Sequence, residues 1–321
     1  MKSRFLLSMF VPICASLMLS PLALGGLVIQ VTAPGFTTEA LDAFNRGAAL
    51  WSRFIENNIT VVVSAGFGTL NPDVLGSSFT NYYNDRTYGV LAAQLKSDAT
   101  TSASLFDDQA KLLPATTALF KSEFPAGYNP DGWTSITSAN DKALFGDFGG
   151  LDAALTFTNR AGVVFDYDNR NGVDLGSFDF ESVVAHEIGH ALGFFSSLDL
   201  PAAMAAKPTP LDLFRFSASN PNQRSLTLGT AAVTNGGSFS YAMSTGVAGD
   251  GYQASHWKSG LSIGLMNPSL SPATIYVPSV ADLKTLDLIG YDIDYSAVPE
   301  VSTLSLGLLS LLGAFRRRRD S

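Results

Sequence analysis

His186, Glu187 and His190 are the residues of this 321-residue chain whose types and spacing most directly allow chemistry. The chain has only three histidines, and two stand four apart in the stretch 179–192, DFESVVAHEIGHAL. Val183, Val184, Ile188, Ala191 and Leu192 recur there at helical intervals, with Asp179 and Glu181 at the positive N-terminal end. On such a helix the two imidazoles share one face, about 40° apart in rotation, and can bind one metal ion. Glu187, beside the first, can then reach metal-activated water as a base without being a ligand. The plainer alternative is a histidine pair satisfied in a core. It requires hydrogen-bond partners that an otherwise apolar helix does not itself supply.

HExxH is the pattern of zinc peptidases, and catalytic zinc takes three protein ligands with a fourth position open. A third ligand from a later Glu is excluded, because the only Glu after His190 is Glu300, close to the C-terminus. In the longer pattern HExxHxxGxxH, Gly193 matches the glycine, but the last position holds Ser196, a poor zinc ligand. Asp199 is the nearest carboxylate, three residues late. The third histidine, His256, stands 66 residues beyond His190, in ASHWK at 254–258. On the residues alone, both Asp199 and His256 are open to the role.

His256-Trp257 is followed by Gly264-Leu265-Met266-Asn267-Pro268. An HExxHxxGF helix, a long insertion and a His-Trp pair shortly before a Met-containing turn resemble the leishmanolysin family of metzincins. The resemblance implies an α+β fold. A twisted mixed sheet and the active-site helix would form an upper subdomain, above a loop-rich lower one ending in a helix. It implies zinc as cofactor, His186, His190 and His256 as ligands, and Glu187 as general base. Gly193 would make the turn and Met266 would pack beneath the metal. A protein or peptide substrate would pair with an edge strand, placed at 153–158. Over most of residues 27–295 the chain is also similar to bacterial exported metalloproteases with PEP-CTERM tails. Leishmanolysins are rich in disulfides, whereas this chain has one Cys, Cys14. A rival from another class is a catalytically inactive protein of the same fold, serving at a surface or in a matrix. Tyr252, Tyr276 and Tyr291 are each able to assist an oxyanion, and nothing in the sequence selects among them.

The elements that must position these groups are legible in part. The stretches 27–32 (LVIQVT) and 59–63 (ITVVV) read as strands, the second β-branched enough to be covered on both faces. Between them, apolar residues at helical spacing predict a helix over 38–57. Strand, helix, strand in that order points to a crossover into a mixed sheet. Shorter helices are expected at 87–96 and 107–120, and further strands at 153–158 and 163–167. Ser279 and Asp282 have capping-box spacing for a helix running to Leu288. The acidic stretch 166–174 (DYDNRNGVD) lacks the acidic fifth and glycine sixth positions of an EF-hand loop, so it reads as a polar loop.

Both ends read as sorting segments. Lys2 and Arg4 precede an apolar run to Leu24 and then small residues, the pattern of an export leader spanning 1–26. Removal of that leader would take the only thiol, as suits an oxidising exterior. At 298–321, Val-Pro-Glu, an apolar run over 301–315 and four arginines resemble the PEP-CTERM sorting signal, with Val301 where a second Pro is usual. That resemblance implies transient membrane insertion, exosortase-type processing, and a cell-envelope, surface or matrix location in a Gram-negative bacterium. Between the ends, 27–195 and 196–297 would be the two subdomains. The net charge is −8, and loss of the two ends takes it to −12, which excludes nucleic acid as a partner.

Overall fold

Val28–Thr32 (β1) and Thr60–Gly68 (β2) lie parallel, joined through the helix α1, Thr38–Ser52, in a computed structural model describing residues 26–101, 106–114, 132–200 and 207–298. Apart from Gly26 and Val298, the expected leader and sorting tail lie outside the described residues. Ala153–Thr158 (β6) pairs parallel to β2, and Gly76–Thr80 (β3) pairs antiparallel to β6, so the sheet order is β1-β2-β6-β3. Tyr82–Thr87 (β4) and Trp133–Thr137 (β5) form a separate antiparallel pair. Tyr88–Thr101 (α2), Asp108–Lys111 (α3) and Ser138–Phe145 (α4) flank it in the chain. Phe165–Asp166 (β7) and Phe178–Asp179 (β8) make a short parallel pair that leads into α5, Phe180–Ala191.

One face of the four-stranded sheet is covered by α1 and α5. Phe44 and Trp51 of α1 and Val184 and Ile188 of α5 are wholly buried there. The Trp51 indole N–H donates to the Ala185 carbonyl at 2.7 Å, tying the two helices together. An aromatic cluster fills the space ahead of α5, with Phe157 and Phe180 edge-to-face at 4.7 Å and Phe36 against Phe67 at 4.8 Å. Such pairs contribute roughly 0.5–1.5 kcal/mol each beyond their buried area, which anchors the start of α5 firmly.

Past α5 the chain makes Pro210–Leu213 (α6) and a second, antiparallel sheet in the order β10-β9-β11-β12. Its strands are Arg215–Ser217 (β9), Asn220–Arg224 (β10), Ala232–Asn235 (β11) and Ser240–Met243 (β12). A long irregular stretch carries Trp257, bridged to Met243, and ends at α7, Val280–Leu288. The molecule is thus α+β, with one four-stranded mixed sheet, one four-stranded antiparallel sheet, the antiparallel pair β4-β5 and the parallel pair β7-β8.

Five expectations need correction, the strand expected over 163–167 being only the two-residue β7. The first helix stops at Ser52, not 57, because Ile55 leaves it to pair with Ile293. The run at 59–63 is not covered equally on both faces: Val61 and Val63 are fully buried while Val62 is half-buried. The helix expected over 107–120 is the four-residue α3, and its expected continuation from 115 lies outside the described residues. The strand at 153–158 is no edge; β2 and β3 pair on either side of it. The edge beyond it is β3, whose GSSFT has one large apolar residue and so carries no strand signal in sequence. The stretch 166–174 is a polar loop. Asp166 accepts from the backbone of Asp168 and Asp174, and Asp168 is paired with Arg170. Among the described residues no helix is long and apolar enough to cross a membrane.

Candidate metal centre

Helix α5 begins at Asp179, whose carboxylate accepts from Ser182 N, and carries Glu181 in its first turn, paired with Arg46 at 2.7 Å. Both acids complement the helix dipole at its positive end. The helix stops in a Schellman motif: Phe194 N–H donates to the Gly189 carbonyl and Gly193 N–H to that of His190. That closure requires a positive φ at Gly193, here +112°, which a side chain would strain. The fold-back has a direct consequence for the site. It presents the Phe194 carbonyl to His190 Nδ1 at 2.8 Å.

The other two imidazoles are oriented in the same way. His186 Nδ1 meets the Leu265 carbonyl at 2.9 Å and His256 Nδ1 that of Gln253 at 3.3 Å. Leu265 and Met266 are held by Asp282, which accepts from their backbone N–H groups at 2.7 and 3.2 Å. The same fully buried carboxylate accepts from the Trp257 indole at 2.7 Å and, completing the capping box of α7, from Ser279 N at 2.7 Å. Sequence spacing identifies the cap but not the second use of Asp282. Nothing local links residue 282 to residues 257 or 265. Met266 is fully buried and lies against Gly189, where a Cβ would overlap its sulfur, so it floors the helix at the level of the site.

These contacts decide the protonation state. A carbonyl only accepts, so each Nδ1 carries the proton and each Nε2 presents a lone pair. His256 Nε2 lies 3.2 Å from His186 Nε2 and 3.2 Å from His190 Nε2. Three lone pairs converging at that distance are not hydrogen bonds among themselves; they repel unless a cation lies between them. Nitrogens sharing a tetrahedral metal at about 2.0–2.1 Å are roughly 3.3 Å apart, so the spacing fits. Burial holds all three rings neutral, as ligands must be. It lowers His186, takes His190 down to about 3 with help from the neighbouring ring, and pushes His256 well below its usual value. Among the described residues these three form the one cluster of His, Cys, Asp or Glu suited to hold a metal. Three imidazoles suit zinc, copper, iron or nickel alike.

Glu187 is outside that cluster and faces the cleft beside it. The cleft is about 1280 Å³ and is lined by β3 as well as by the three histidines. Gly76 of β3 abuts the Glu187 side chain so closely that a Cβ would stand 2.6 Å from Oε1. The strand, the acid and the three rings therefore line one cleft. Burial raises Glu187 to about 8, and a nearby cation would reverse that shift.

Asp199, the alternative third ligand, is not in the cluster. Its carboxylate accepts from Ala254 N, Ser255 N and Ser255 Oγ. Ser196, in the register where the compact pattern has its last histidine, is fully buried and donates its hydroxyl to Asp212 at 2.6 Å. Of the three tyrosines, Tyr252 lines the cleft; Tyr276 accepts from Ser271 N, and Tyr291 is buried in the core. Compared with family models, curated proteins and solved structures, the chain finds no match.

Proposed function

We propose that this chain is an exported zinc-dependent endopeptidase of metzincin type. One observation carries the reading: three imidazole lone pairs converge beside a buried Glu, in a cleft also lined by a strand. His186, His190 and His256 would hold the metal, which when bound acidifies water and polarises a carbonyl.

The remaining work falls to side chains and backbone. Glu187, ionised once a cation sits nearby, accepts the proton of the attacking water on its carboxylate and returns it to the leaving amine nitrogen. Gly76 keeps the space that this carboxylate occupies. Among the described residues no strand pairs with the outer edge of β3, which would offer its main-chain groups to an extended peptide lying in the cleft, an arrangement that reads backbone and leaves side-chain preference to the cleft walls. The leader-like and PEP-CTERM-like ends support export and an envelope or surface location.

The test is elemental analysis of the full-length protein together with cleavage of a generic unfolded protein. One zinc per chain is expected. Glu187→Ala should keep that zinc and lose roughly 10²–10⁴-fold in cleavage, the usual contribution of a general base. Full cleavage in that variant would overturn the mechanism, and zinc without cleavage in the wild type would favour an inactive surface or matrix protein.

A further inference from the structure

Asp199 stands outside the three-histidine cluster, yet its carboxylate is engaged by the segment that carries His256. It accepts from Ala254 N at 2.6 Å, Ser255 N at 2.8 Å and Ser255 Oγ at 2.5 Å, and the next residue is His256. Ser255 Oγ in turn accepts from Ser196 N at 2.8 Å, three residues after the Gly193 turn. Ser196 and Ser197 are pinned from behind by Asp212, which takes both hydroxyls at 2.6 and 2.8 Å. Buried Arg215 holds both ends of the intervening loop, donating to the Ser244 carbonyl at 2.5 Å and the Ala254 carbonyl at 3.5 Å.

The physical need for such a clasp follows from the separation of the ligands. His190 and His256 are 66 residues apart, and a chain that leaves and returns over that length has no local reason to place an imidazole accurately. A carboxylate taking two backbone N–H groups and a hydroxyl is a charge-assisted anchor, stronger and more directional than neutral contacts. Its position just past the end of α5 registers the returning loop against the helix that carries the other two rings.

We propose that Asp199, acting through Ala254 and Ser255, is the positioning residue that seats His256 as third metal ligand. The inference rests on the three-histidine reading of the site. It gives the acid next in line for metal binding a supporting role instead.

The experiment is a double-mutant cycle on the full chain, with Zn²⁺ affinity measured by competition with a chromophoric chelator. Asp199→Asn turns one donor of its amide toward the N–H groups it should accept from. It should weaken zinc about 10–100-fold, as loss of an orienting partner usually does. His256→Ala should weaken zinc further, and adding Asp199→Asn to it should cause no additional loss. The visible spectrum of Co²⁺-loaded Asp199→Asn should also differ from that of the wild type. Wild-type affinity in Asp199→Asn, or losses that add in the double variant, would overturn the proposal, the second by showing a general structural role. Unchanged affinity in His256→Ala would instead remove the three-histidine reading, and the positioning role with it. If Asp199→Asn fails to fold by circular dichroism, Ser255→Ala takes its place in the same cycle. A several-fold loss, absent in the His256→Ala background, is then expected, and no loss would overturn the proposal.

Discussion

Two of the three imidazoles ride on one turn of α5, while the third comes from an irregular loop, and opposite means hold the two halves. Around α5 the packing is mainly apolar: Phe44, Trp51, Val184 and Ile188 are wholly buried, and the helix forms its own backbone hydrogen bonds, with Asp179 capping Ser182 N and the Trp51 indole donating to the Ala185 carbonyl. Around His256 and Met266 they are polar, with Asp199, Asp282 and Arg215 meeting backbone N–H and carbonyl groups that no regular structure satisfies. A helix sets ligand spacing through its period and needs only a packed face. A loop must have its orphaned backbone groups paired by side chains before it holds any geometry.

The largest effect expected from that contrast is at Asp282. Asp282→Ala strands the buried N–H groups of Leu265 and Met266, the half-buried one of Ser279 and the Trp257 indole at once, so it should cost more than about 3 kcal/mol in denaturant unfolding. A loss below 1 kcal/mol would show that the loop half does not depend on its carboxylates.

On the helix half, the buried acid should show itself through pH. Glu187 is raised in the folded protein to about 8, so in the metal-free chain its favourable contribution is complete below the unfolded value near 4.5. That contribution is then lost as pH rises toward 8. Melting curves of metal-free wild type and Glu187→Gln should therefore diverge over that interval, the variant gaining relative stability as pH increases. A constant gap would mean that Glu187 is ionised without metal.

Gly76→Ala should act across the interface of strand and helix. The added methyl displaces the Glu187 carboxylate, lowering cleavage up to about 100-fold while zinc affinity, set by the rings, is unchanged. Loss of zinc in this variant would couple the two functions more tightly than the contacts indicate. The smallest effect is expected within the packed face of α5, where Ile188→Val should cost about 0.5–1.5 kcal/mol and leave the metal site intact.

The same contrast governs what could be read before folding. Helix α5 was legible because its apolar period, its acidic N-terminal end and His186, Glu187 and His190 all lie within 14 residues, and α7 was legible through Ser279 and Asp282. The second sheet was not: RFS, NPNQR, AVTN and SYAM are short, and their pairing depends on partners distant in sequence. β3 carries no local signal for the same reason, and 153–158 is no edge because being an edge is a property of the assembled sheet.

By itself the sequence determined the pair of imidazoles and the acid between them, since a helical period converts spacing directly into a shared face. Scarcity of histidine then left His256 and Asp199 as the candidates for a third position. Only the tertiary structure sets them apart, bringing His256 Nε2 to 3.2 Å from both other rings and engaging Asp199 with the backbone of Ala254 and Ser255. The reason is physical: groups 66 residues apart are brought together by contacts between distant segments, such as the polar ones of Asp199 and Asp282, and these exist only once the segments have met.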